Sequence, residues 1–111
     1  MYMLDTNICI YAIKNKPESV LKEIKKKINK GLAISVITLA ELEYGVKNSL
    51  YPQKNQIALI EFLSIFEIVP FDSEAARAFG EIKSSLKEKG LLIGPMDTLI
   101  AAQAVSGNYT L

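Results

Sequence analysis

Short apolar runs alternate with amphipathic stretches along this 111-residue chain, and the alternation predicts its elements. Tyr2 to Leu4 form a continuous apolar run that predicts a buried strand, followed by a helix over about 6–14 and a break at Asn15-Lys16-Pro17. A second helix opens at Pro17, carries Val20, Leu21, Ile24 and Ile28 as an apolar stripe, and ends near Lys30-Gly31, where glycine suits a C-cap. Residues 33–36 predict the next strand, and about 39–48 the helix after it. Tyr51-Pro52 then punctuates the chain before a helix over about 53–64 and a third strand over 65–69, closed by Pro70. Asp72 or Ser73 caps a helix in which Ala75, Phe79, Ile82 and Leu86 recur at three- and four-residue spacing as far as Gly90. Pro95 opens a last helix that ends at Ser106-Gly107-Asn108, and Tyr109-Thr110-Leu111 reads as the start of one more strand.

Strands this short and this continuously apolar, alternating with helices, predict a parallel sheet covered on both faces. The expected fold is therefore α/β: a single three-layer α/β/α domain around a central, mainly parallel sheet. In such sheets ligands bind beyond the carboxyl ends of the strands.

Composition narrows the chemistry that this fold can carry. The chain contains no histidine and a single cysteine, Cys9, which excludes an internal disulfide, a Cys/His zinc cluster and every histidine-based triad or acid–base pair. Catalysis must then rest on carboxylates, lysines or a metal ion. One unpaired cysteine, no basic leader and no run near the roughly 18 to 20 apolar residues of a membrane span point to a cytoplasmic protein without membrane contact. The net charge of +1 argues against coating nucleic acid by charge alone. Residues 1–30 nonetheless carry seven lysines against three acids, whereas residues 31–111 carry six bases against nine acids. Lys25-Lys26-Lys27 is the densest part of the basic end and reads as a solvated face opposite the apolar stripe, with contact to a polynucleotide as the other reading.

Three acids stand where strands or loops hand over to helices: Asp5, Glu41 and Asp97. Each has a structural duty open to it. Asp5 can cap the first helix, Asp97 can meet the positive end of a helix macrodipole after Pro95, and Thr38-Leu39-Ala40-Glu41 matches a capping box. Caps, however, can sit anywhere, whereas these three are predicted to share one edge of one sheet. Ionised carboxylates gathered there repel one another, and a hard divalent cation removes the conflict. The expected site places Asp5 and Asp97 as ligands of Mg²⁺, with Mn²⁺ as the other candidate, and Glu41 on a ligand water or the nucleophile. Thr6 and Asn7 are candidates for contact with a substrate phosphate as well as for helix-start duty. Glu43 rivals Glu41 but lies about 200° round the helix, so only one of the two can face the site. Attack of water on a phosphodiester is the reaction this inventory supports best.

The same segments carry a family resemblance. Met3-Leu4-Asp5-Thr6-Asn7, Ser35-Val36-Ile37-Thr38-Leu39-Ala40-Glu41-Leu42-Glu43-Tyr44-Gly45 and Ile93-Gly94-Pro95-Met96-Asp97-Thr98-Leu99-Ile100-Ala101-Ala102, in that order, resemble PIN-domain proteins, more narrowly the VapC-type toxins of bacterial toxin–antitoxin pairs. The resemblance spans essentially the whole chain. It implies a Mg²⁺-dependent endoribonuclease with its motif acids at Asp5, Glu41 and Asp97, a homodimer, and a small antitoxin that blocks the site. Family members usually continue past the strand that begins at Tyr109, through a turn supplying a fourth polar group. This chain is therefore expected to lack the C-terminal segment, and a catalytically weak module that dimerises and binds antitoxin stands as the alternative reading. A third class, in which Asp5 is a covalent nucleophile of the haloacid-dehalogenase type, wants an aspartate two residues later, and position 7 is Asn.

Overall fold

The computed structural model describes residues 1–15, 18–91 and 93–111. Three parallel strands, β1 (Tyr2–Leu4), β2 (Leu32–Ser35) and β3 (Glu67–Val69), lie in the order β1-β2-β3. Around them pack α1 (Thr6–Asn15), α2 (Glu18–Lys27), α3 (Val36–Lys47), α4 (Pro52–Leu63), α5 (Ser73–Glu88) and α6 (Pro95–Ser106). After α6 the chain returns to the free side of β1. Thr110 bridges Tyr2 in parallel, with Met3 N–H donating to Thr110 O at 2.8 Å and Thr110 N–H to Met1 O at 3.1 Å. The predicted strand at 109–111 is thus present as a single bridge.

Strand alternation sorts the core into two faces. Leu4, Leu32 and Ile34 point to a layer formed by Cys9 and Ala12 of α1, Ile24 of α2, Leu42 of α3 and Leu59 of α4. Met3 points the other way, onto Ile100 and Ala104 of α6, with Ile37, Val69 and Tyr109 completing that cluster. The three-layer α/β/α expectation holds.

Local signals act where they were read. Asp72 caps α5 by accepting from Ala75 N–H at 2.9 Å, and Pro52 and Pro95 occupy first turns. After α2 a 3-10 turn (Ile28–Lys30) delivers the chain to Gly31, whose φ of +87° is the left-handed region that glycine tolerates. The predicted break at Asn15-Lys16-Pro17 and the helix start at Pro17 fall on or against residues outside those described. Three elements shift at their boundaries, with β2 at Leu32–Ser35 rather than 33–36. β3 is shorter than the predicted 65–69, and α3 starts at Val36 rather than near 39. The reason is Ser35: its backbone is extended (φ −69°, ψ 146°), and its hydroxyl accepts from Ile37 N–H at 2.9 Å, so it caps α3 inside what reads as an apolar strand.

Candidate active site

The register puts Leu4 opposite Ile34, so β1 and β2 reach their carboxyl ends together. Asp5 and Ser35 follow side by side, and α1 and α3 both start there. α6 reaches the same edge from the other face. It feeds the Thr110 bridge, which runs parallel to β1, so the helix runs back along the sheet over about 18 Å and its N-terminus, with Asp97, lies toward the strands' carboxyl ends. One apolar cluster ties these three segments together: Met3 is two residues before Asp5, Ile37 one turn before Glu41, and Ile100 one turn after Asp97.

Asp5 is half-buried and its Oδ1 accepts from Ile8 N–H at 2.9 Å, so it does cap α1, using one of its two oxygens. Glu41 does not form the capping box, because α3 begins a turn earlier and puts it in the second turn. Its Oε1 instead accepts from the Thr6 hydroxyl at 2.7 Å, and Thr6 Oγ lies 3.1 Å from Thr38 Oγ. Thr6 is buried and its hydroxyl is turned inward to Glu41, whereas Asn7 is exposed. Glu43 faces elsewhere, accepting from Gln56 Nε2 of α4 at 3.4 Å. The two glutamates thus lie on different sides of α3.

Asp97 sits in the first turn of α6, exposed, with its carboxylate over the start of the helix: a Cβ at Gly94 would lie 3.6 Å from Asp97 Oδ2. A negative charge is favourable there because the first N–H groups of the helix lack intrahelical partners. Thr98 below it is buried and its hydroxyl donates to Gly94 O at 3.0 Å, closing the turn.

A second buried network fixes the helices that carry the acids. Gln103 of α6 donates from Nε2 to Val69 O at 2.7 Å and to Pro70 O at 2.8 Å, while its Oε1 accepts from the Ser35 hydroxyl, itself the cap of α3. In the sequence Gln103, Ser35 and Thr38 look like parts of apolar or capping segments. Their signal was a polar residue standing alone among apolar neighbours, as in Ala101-Ala102-Gln103-Ala104-Val105.

Among the described residues no three Asp, Glu, His or Cys side chains stand close enough together to make a ready cage for a metal ion. The donor chemistry at this edge still fits Mg²⁺, which takes one or two carboxylates and keeps several waters; Asp5 and Asp97 offer oxygen only. Cys9, one turn into α1, is no ligand. Burial, with the Asp5 carboxylate adding to it, pushes its thiol up to about 12.

A PIN domain matches residues 2–111. The chain belongs to the PIN-domain family. Among its relatives, ribonuclease VapC2 of Rickettsia felis is 46% identical over 112 residues, covering 100% of this chain and 84% of that protein. The tRNA(fMet)-specific endonuclease VapC of Salmonella typhimurium is 42% identical over 105 residues, covering 95% and 79%. Among solved structures, VapBC2 from Rickettsia felis bound to a DNA fragment from its promoter superposes with a TM-score of 0.95 at 43% identity, over 97% of this chain and 83% of that one.

Proposed function

We propose that this chain is the toxin of a VapBC-type pair, a metal-dependent endoribonuclease that cleaves RNA phosphodiester bonds and is neutralised by a cognate antitoxin. The observation that carries the reading is the contact of Thr6 with Glu41 beside Asp5, at the carboxyl edge of a parallel sheet, in a chain that belongs to the PIN-domain family.

Asp5 and Asp97 are the residues that would hold the ion, Mg²⁺ or, as the other candidate, Mn²⁺, since both ligands are hard oxygens that suit either ion. When bound, the ion lowers the pKa of water and offsets charge on the phosphate under attack. Glu41 orients the attacking water and takes its proton through Oε2, since Thr6 occupies Oε1. Asn7, exposed and next but one to Asp5 in the chain, is the residue we assign to donate to a phosphate oxygen.

A solved VapBC complex from Salmonella typhimurium, also bound to DNA, resembles this chain at 41% identity with a TM-score of 0.93, which supports a cognate antitoxin as partner. Ile57 and Ile60 are exposed on α4 and give a homodimer an apolar face to use. No helix among the described residues is long and apolar enough to cross a membrane, and the cytoplasm is where RNA and antitoxin would meet the toxin.

The test is cleavage of RNA by the purified chain, beginning with tRNA(fMet), the RNA in the Salmonella relative's name. Cleavage in Mg²⁺ that stops with EDTA and in Asp97→Asn is the expected result. Equal cleavage in both buffers, or full activity in the variant, overturns the reading.

A further inference from the structure

Thr38 is fully buried in the first turn of α3, 32 positions from Thr6 in the chain, yet their hydroxyls lie 3.1 Å apart. A threonine hydroxyl has one proton to give. Glu41 Oε1, at 2.7 Å from Thr6, belongs to a carboxylate that can only accept, so the Thr6 proton goes to Glu41. The Thr6 oxygen is then left as an acceptor, and the Thr38 hydroxyl is the donor that meets it. The chain of protons therefore runs one way, from Thr38 through Thr6 to Glu41.

We propose that Thr38 is a positioning residue: through Thr6 it fixes Glu41 in a single rotamer, with Oε1 occupied and Oε2 presented to the reacting water. The inference rests on the ribonuclease reading for its consequence but not for its geometry. Glu41 is half-buried and is held to the body of the protein at Oε1 by Thr6. Without Thr38 the buried Thr6 oxygen loses its donor, and the Thr6 hydroxyl is free to rotate away from the carboxylate. A base displaced by a fraction of an ångström still lets substrate bind while failing to meet the water, so the loss falls on kcat rather than KM.

The experiment compares Thr38→Val, which keeps the shape and removes the hydroxyl, with Thr38→Ser, which keeps the hydroxyl; Thr38→Ala replaces the valine variant if that one does not fold. RNA cleavage in Mg²⁺ and the NMR signals of the two Glu41 Cγ protons in the metal-free protein are both read. The expected result is a fall in kcat of about tenfold or more in Thr38→Val with KM within about twofold, and restoration to near wild type in Thr38→Ser. The Cγ protons are expected to be inequivalent in wild type and Thr38→Ser and to merge in Thr38→Val. Unchanged kcat in Thr38→Val, or equal loss in Thr38→Ser, overturns the proposal. If the wild type cleaves no RNA while the NMR pattern holds, the positioning stands and the ribonuclease reading falls. Merged Cγ signals in the wild type overturn the positioning whatever the activity.

Discussion

The two halves of the candidate site are built in opposite ways. Glu41 is half-buried and tied by Thr6 and Thr38 into the body of the protein, whereas Asp97 stands exposed on the first turn of α6 with a helix terminus behind it. The first arrangement limits where a carboxylate can point. The second leaves a carboxylate hydrated and free to meet a cation without first giving up an internal bond. A base that must aim at one water and a ligand that must accommodate an ion with its own waters make these different demands. The difference also predicts which half couples activity to stability.

Asp97→Asn is the sharpest test of that division, and the largest effect. Removing an exposed ligand is expected to lower cleavage by about a thousandfold, the equivalent of several kcal/mol at the transition state, while thermal unfolding falls by no more than the few degrees that a lost helix-end charge costs. A large loss of stability in this variant would break the comparison. Gln103→Leu addresses the support beneath both halves. It leaves Val69 O, Pro70 O and the Ser35 hydroxyl without their partner, and is expected to cost about 3 kcal/mol in denaturant unfolding. A loss below about 0.5 kcal/mol would mean that the buried amide does not hold α6 to α3.

Cys9 gives a smaller, pH-dependent effect next to Asp5. Its thiol is raised from 9.0 to about 12 in the folded chain, chiefly by burial. Between those values the unfolded chain has lost the proton that the folded chain keeps, so stability is full below pH 9 and declines as pH rises, by about 1.4 kcal/mol per pH unit. The measurement is the difference between wild type and Cys9→Ala in urea unfolding across that range, which cancels titration of the tyrosines and lysines. A flat difference would contradict the burial of this thiol. Native Cys9 should also resist alkylation at pH 8.

The fold was legible because its punctuation is local. Pro52, Asp72 and Pro95 each act on the nearest turn, and Gly31 ends its segment within a residue of where it was read. Ser35 looks like part of a strand for a physical reason: Ile34-Ser35-Val36-Ile37 is rich in β-branched residues, and nothing local says that the serine hydroxyl turns back to cap a helix. That Asp5, Glu41 and Asp97 lie near the starts of α1, α3 and α6 followed from the alternation of strands and helices. The duties of Thr6 and Thr38 did not, since they depend on contacts across 32 and 35 positions. Thr6 reads as a helix-start residue or a contact for substrate, and the fold turns its hydroxyl inward to Glu41. Gln103 was hidden by its own helix, because a lone amide among alanines looks like a surface residue until β3 and Ser35 close over it.

Glu41 and Glu43 offer the most direct test of the central claim, that Asp5, Glu41 and Asp97 form one site. They are two residues apart on one helix and carry the same charge, but one meets Thr6 and the other Gln56. Glu41→Gln and Glu43→Gln should be compared for Mg²⁺-dependent cleavage of the same RNA under the same conditions. The site described here predicts a loss of about a hundredfold or more in Glu41→Gln and activity within about threefold of wild type in Glu43→Gln, the range of a surface contact. The reverse order, or equal losses in the two variants, would contradict it.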